Sequence, residues 1–222
     1  MKKFILSFLI IGTLFVNPMD AKPNSKNNSQ ETHIEQRVIS FNDKFSYQLD
    51  ENTSWSISNT KGNANLQSGI GSITDFSFPE PGTYNVEISE TVSAGDCNHG
   101  HFPNTIVIEV SPLKLAFDFS TIKFNTEIIG GQPQDNNTIT VDVYFSNIKN
   151  ESIEFTNGQL TSAGVGVNIE GELVNEKTIL TPGLNHLIYK LTGTATSQTF
   201  IRFDFFDINN QVVSYYPLTK IK

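Results

Sequence analysis

The chain has 222 residues, with 15 Lys and Arg against 23 Asp and Glu and a net charge of −8. That length suits one or two domains, and an acidic chain without a basic cluster argues against docking on a nucleic-acid backbone or on an anionic membrane surface. The single cysteine, Cys97, excludes an intramolecular disulfide, and 17 Phe and 6 Tyr against one Trp and two Met favour strands over helices.

Met1-Lys2-Lys3 is basic, Phe4 to Val16 is an almost unbroken apolar run, and Asn17-Pro18-Met19-Asp20-Ala21 breaks it. This is the layout of a secretory signal peptide over residues 1–21, with cleavage expected after Ala21. The run is short for a membrane-spanning helix, and the alternative to a cleaved signal is an uncleaved membrane anchor. The mature chain is therefore expected to be exported, in the periplasm, on the cell surface or outside the cell, without stable membrane insertion. Residues 22–36 are rich in Asn, Ser and Lys and read as a flexible leader.

A first domain is expected over residues 37–112. Phe45-Ser46-Tyr47-Gln48-Leu49 alternates, and so does Trp55-Ser56-Ile57-Ser58, with a turn at Asp50 to Thr53 between them. Phe78-Pro79-Glu80-Pro81-Gly82 then punctuates the chain and delivers it into Thr83-Tyr84-Asn85-Val86-Glu87-Ile88. Tyr84, Val86 and Ile88 share one face of that strand. A Tyr entering such a strand can bury its ring and return its hydroxyl to nearby backbone, the tyrosine corner of sandwich folds. Ile106, Ile108 and Val110 share a face of the last strand, which Ser111-Pro112 ends.

Pro81-Gly82-Thr83-Tyr84-Asn85-Val86-Glu87-Ile88 resembles the Pro-Gly-Thr-Tyr-x-Val-x-Ile signature of PKD-type immunoglobulin-like domains in bacterial surface proteins. The resemblance covers roughly residues 40–112. It implies a β-sandwich with Trp55 packed at its centre, and it says little about function, because such sandwiches host many roles.

Between the last two strands of this domain lies Gly95-Asp96-Cys97-Asn98-His99-Gly100-His101-Phe102-Pro103. In an extended run Cys97, His99 and His101 face one side, about 6.5–7 Å apart in succession. That face offers a Zn or Cu ion three ligands, with Asp96 or water completing the set. Two other readings stand beside it: a hairpin loop with Cys97 tucked under as a small apolar residue, and an intermolecularly bonded or redox-active Cys97.

A second domain is expected over residues 113–222. Leu113, Leu115, Phe117 and Phe119 share a face, and Ile139, Val141, Val143 and Phe145 form the cleanest amphipathic strand in the chain. Shorter strands are expected at Ile153 and Phe155 and at Val165, Val167 and Ile169, and a longer one carries Leu187, Tyr189 and Leu191. Phe200 to Asp207 reads as a central strand, and Ile208-Asn209-Asn210-Gln211 turns it into Val212 to Tyr216. About eight strands with no helix between them make a second sandwich. The fold class expected is all-β, two consecutive immunoglobulin-like β-sandwiches after a signal peptide. The Ser111-Pro112 join has no flexible linker, so the domains are expected to meet at a restricted angle.

No catalytic residue is identified: no nucleophile elbow, phosphate loop or dinucleotide fingerprint is present. Asp204 and Asp207 are three apart and face opposite sides of a strand, unlike a glycosidase pair. Arg202 and Asp204 share a face and can pair, and His186 falls on the outer face of its strand. The reading is an exported, non-catalytic binding or accessory module that displays loops or sheet edges to a protein or glycan partner. It needs no cofactor. The alternatives are a Zn or Cu protein using Cys97, His99 and His101, and a hydrolase whose site assembles only in the fold.

Overall fold

A computed structural model describes residues 33–62, 64–90, 102–197, 199–217 and 222. The expected signal peptide and most of the expected leader lie outside the described residues, as do Cys97, His99 and His101. The described residues are all-β, with sixteen strands and no helix. Their buried apolar side chains fall into two clusters, one drawn from residues 45–110 and one from 115–205.

The first lobe holds β1 (Ile34–Ser40), β2 (Phe45–Tyr47), β3 (Ser54–Asn59), β4 (Asn65–Ile70), β5 (Ile73–Phe76), β6 (Gly82–Ser89) and β7 (Thr105–Ser111). β1 begins three residues before the expected domain start at 37, so Ile34, Glu35 and Gln36 belong to a strand rather than to a leader. One sheet runs β1-β7-β6-β3-β4 and the other is the pair β2-β5. β3, β6 and β7 take the places of strands C, F and G, and β2 and β5 those of B and E, which is the immunoglobulin-like arrangement. β1 runs parallel to β7, and the other pairings are antiparallel.

Alternation explains the core. Tyr84, Val86 and Ile88 of β6 and Ile106, Ile108 and Val110 of β7 point inward and are buried against Phe45, Ile73 and Phe78. Tyr84 is fully buried, its ring 4.6 Å from that of Phe78, and its hydroxyl donates to Glu80 O at 2.7 Å. This is the expected tyrosine corner. It ties the Pro79-Glu80-Pro81 turn to the strand that follows. Trp55 lies over its cross-strand partner Gly69, where a Cβ would come within 2.6 Å of the indole.

The second lobe holds β8 (Leu113–Phe124), β9 (Thr138–Asn147), β10 (Ile153–Phe155), β11 (Gln159–Ala163), β12 (Val167–Leu173), β13 (Thr178–Leu180), β14 (Gly183–Ala195), β15 (Arg202–Phe206) and β16 (Val212–Tyr215). Seven of these form one antiparallel sheet in the order β16-β15-β11-β12-β14-β9-β8, and β10 pairs with β13. Read as strands, the order is G-F-C-D-E-B-A: the two sheets of an immunoglobulin-like sandwich, joined along the β11–β12 pair. The sheet folds over, so strands distant in hydrogen-bond order meet across the core. Phe117 of β8 lies 5.2 Å from Phe205 of β15, and Phe119 lies 5.3 Å from both Phe205 and Tyr215. Ile139, Val141, Val143 and Phe145 are all buried, as their alternation predicts. Val165 departs from expectation: it is 86% exposed in the turn before β12.

Tyr189 of β14 is fully buried, and its hydroxyl has no hydrogen-bond partner among the described residues. Tyr189→Phe removes a group whose desolvation is uncompensated, so we expect stability to rise by about 1 kcal/mol in urea denaturation. A loss of that size would instead reveal a bond the hydroxyl makes. Burial also pushes the Tyr189 hydroxyl well above the ordinary tyrosine range. The folded chain therefore holds this proton more tightly than the unfolded chain. The associated stability is intact below the ordinary tyrosine value of about 10 and declines as pH rises above it. Tyr189→Phe is expected to shallow that alkaline decline; the raised Tyr47 and Tyr84 hydroxyls contribute the remainder.

Candidate functional site

β7 passes into β8 with only Pro112 between them, and Phe41 N donates to the buried Ser111 at its carbonyl O, 2.9 Å away. The β15–β16 turn closes on this join. Asp207 Oδ1 accepts from Asn209 N at 2.8 Å and from Gln211 N at 2.7 Å, with Asn210 at a φ of 57°. Those bonds fix the turn so that Asn209 Nδ2 reaches Ser40 Oγ and Leu113 O, each at 2.9 Å. Lys114 pairs with Asp43 beside it. Burial raises the Asp207 carboxyl above the usual carboxylate range, its two backbone N–H donors oppose that, and the nearby Asp43 charge adds to it.

Beside this contact lies a groove of about 580 Å³, within the size range of ligand clefts. Residues 38–40 of β1 line it, as do 114–117 of β8, with Gln211 and Val213 on the β16 side and Asp43, Lys44 and Asp207 at the turns. Successive side chains of a strand point to opposite faces. A groove touched by four consecutive residues of β8 therefore meets that strand along its edge.

The direction of the edge groups follows from the register. Ile148 N donates to Pro112 O at 3.2 Å, and such bonds recur at every second residue of an antiparallel pair. Lys114 and Ala116 thus bond toward β9, while Leu113, Leu115 and Phe117 direct N–H and C=O the other way; at Asp118 the register shifts, and Thr121 Oγ1 stands between Asp142 N and Asp118 O. Leu113 agrees: its N–H donates to Ser111 Oγ and its C=O accepts from Asn209 Nδ2. On β16, Asp207 N donates to Gln211 O, so Val212 and Ser214 are the residues whose backbone faces away from β15. On β1, His33 O and Phe41 N both bond the β7 side, so Val38 faces away from it. Among the described residues β1, β8 and β16 each end a sheet, and their outer edges converge on this groove.

Two polar clusters lie elsewhere. Arg202 donates to Asp204 Oδ2 through Nε at 3.0 Å and Nη2 at 2.7 Å, and Ser214 Oγ donates to Asp204 Oδ1 at 2.5 Å. Burial raises the Asp204 carboxyl, but the Ser214 and Arg202 hydrogen bonds outweigh it and leave the group below the usual range. The expected Arg202–Asp204 pair is thus present, as a satisfied structural cluster. His186 Nδ1 lies 2.6 Å from Asp142 Oδ1 on the outer face of β9 and β14, flanked by half-exposed Tyr144, Leu184 and Ile188. Among the described residues no three His, Cys, Asp or Glu side chains gather to hold a metal ion. Sequence reasoning placed the Asp207–Gln211 turn but gave no sign of Lys44, Lys114 or Asn209 at a site. The one available signal was the missing linker at Ser111-Pro112.

The fold defines an all-β chain of two immunoglobulin-like sandwiches. No protein-family model matches the chain, and no curated protein is similar to it at a significant level. Among solved structures it is similar to the ectodomain of the polymeric Ig receptor of a teleost fish, at 9% identity and a TM-score of 0.26, covering 83% of this chain and 95% of that one. It is also similar to a β-glucuronidase of glycoside hydrolase family 2, at 11% identity and a TM-score of 0.22, covering 82% of this chain and 20% of that one. At such scores neither likeness carries an argument about fold or function.

Proposed function

We propose that this chain is an exported, non-catalytic binding or accessory module that offers strand edges and loops to a protein or glycan partner outside the inner membrane. The observation that supports it most is the convergence of three outer strand edges on one groove at the join of the lobes. Edge strands carry rows of backbone donors and acceptors, and proteins that do not use them usually cover or charge them. The basic and apolar N-terminal layout supports export.

The test is photo-crosslinking in the native cell envelope, with a photoreactive phenylalanine placed singly at Ala116 in the groove, at Ile70 on the β4 edge and at Tyr144 on the β9–β14 face. A discrete adduct from any of these, on a chain recovered outside the inner membrane, is the expected result. No adduct from all three, or a chain retained in the cytoplasm, overturns the reading. Elemental mass spectrometry of the same protein separates the metal-binding alternative: about one Zn or Cu per chain, lost on replacing Cys97, His99 and His101 together, would favour it.

A further inference from the structure

We propose that the groove between β8 and β16 binds an extended peptide segment that adds as a strand to the outer edge of β8 and places a carboxylate on Lys44. This rests on the binding-module reading and names its site and its partner chemistry.

The two lobes differ at the same place. In the first, the outer edge of β7 is closed by β1 in parallel pairing from Ile34 to Ser40. In the second, among the described residues, no ladder joins β8 to β16, though both end the same folded sheet. β1 stops at Ser40, beside Leu113, where Asn209 bonds both residues. The position next to β8 therefore continues the track that β1 occupies beside β7. It runs from Leu113 to Phe117, and beyond that Phe119 meets Tyr215 at 5.3 Å and closes the seam. At about 3.3 Å per residue, four or five residues of extended chain fill it.

The chemistry of the walls selects the occupant. Leu115 and Phe117 direct backbone N–H and C=O groups into the groove, and a strand satisfies both kinds at alternate positions. Ala116, Phe117 and Val213 give its sides apolar surface. The lining holds two lysines, Lys44 and Lys114, against two aspartates, Asp43 and Asp207, and of the lysines only Lys114 is paired with a carboxylate among the described residues. Asp43 holds Lys114, and Asp207 accepts from two backbone N–H groups. Lys44 bonds only Ser77 Oγ and pairs with no carboxylate among the described residues. A carboxylate on the peptide, from Asp, Glu or a C-terminus, complements it. The net charge of −8 does not oppose this at close range, because charges more than about 8 Å away are screened at physiological salt.

The probe is a phage-displayed library of random ten-residue peptides, panned on the mature chain, followed by synthetic peptides in fluorescence anisotropy and amide hydrogen exchange. Selected peptides are expected to alternate apolar residues and carry a carboxylate. Binding should slow exchange at the Leu115 and Phe117 amides. N-methylation of an edge-facing peptide amide and Lys44→Gln should each weaken binding about tenfold, as loss of a charge-assisted or backbone bond implies. Lys44 is exposed, so Lys44→Gln leaves folding intact. Failure to select any peptide overturns the inference, as does binding that ignores N-methylation and Lys44→Gln. So does self-association abolished by Lys44→Gln, which would put a second copy of the chain in the groove. In each of these cases an adduct at Ile70 or Tyr144 keeps the broader reading alive, and absence of adducts at all three positions ends both.

Discussion

Gly193→Ala is expected to cost roughly 3–5 kcal/mol, enough to leave the second lobe largely unfolded at 37 °C. Gly193 sits inside β14 with a φ of 94°, a backbone conformation that L side chains rarely adopt. A Cβ there would stand 1.9 Å from Asn168 O and 2.9 Å from Asn168 C, both backbone atoms of the paired strand β12. No rotamer relieves such a clash, because alanine has no rotamers and the obstacle is main chain. The strands must part, and with them the bond from Gln134 N to Gly193 O at 2.9 Å, which seats the buried Gln134 of the loop before β9. Urea denaturation followed by tryptophan-independent far-UV circular dichroism measures the effect; a midpoint within experimental error of the parent would show that β14 shifts freely. Gly183, with a φ of 107° and open space where a Cβ would stand, serves as the contrast, since alanine there meets strain without collision.

The difference between those two glycines was invisible in the sequence, and the reason is general to this chain. Alternation announced β6, β9 and the first half of β8, because a strand with one buried face must place its apolar residues at period two. It announced the tyrosine corner too, since Pro81-Gly82 fixes where β6 begins and Tyr84 is the first inward residue after it. Alternation could not announce that Val165 lies outside its strand, because a valine in a turn has the same identity as one in a ladder. Nor could it show β8 continuing past Asp118 to Phe124 through a shift of register, which depends on which residues of β9 it meets. The groove was hidden for a deeper reason. Its main donors and acceptors are backbone groups of Leu115 and Phe117, and every residue except proline carries the same pair. Edge status is a property of the sheet, set by contacts as distant as Asn209 with Ser40. Side-chain chemistry drew attention instead to Cys97, His99 and His101, which lie outside the described residues.

Phe205→Ala is expected to cost about 3–5 kcal/mol, in the range for a buried aromatic truncated to alanine. Phe205 is fully buried on β15, and its ring stands 5.2 Å from Phe117, 5.3 Å from Phe119 and 5.3 Å from Tyr189. It therefore holds the far halves of the folded sheet together, β15 against β8 and β14. Neighbouring rings can refill part of the space, but only by moving Phe117 and Phe119 inward, and Phe117 is a wall of the groove. Stability and binding should fall together for this reason. Phe155→Ala separates the two effects: Phe155 is equally buried, but it sits on β10 among Gly158 and Leu173 and lines no part of the groove. Chemical denaturation should find both variants destabilised by similar amounts. At a temperature where both remain folded, peptide affinity should drop only in Phe205→Ala. Equal affinity losses in the two would mean that general loosening of the core, rather than the position of β8, governs the groove; unchanged affinity in Phe205→Ala would mean that Phe117 keeps its place without the ring beneath it.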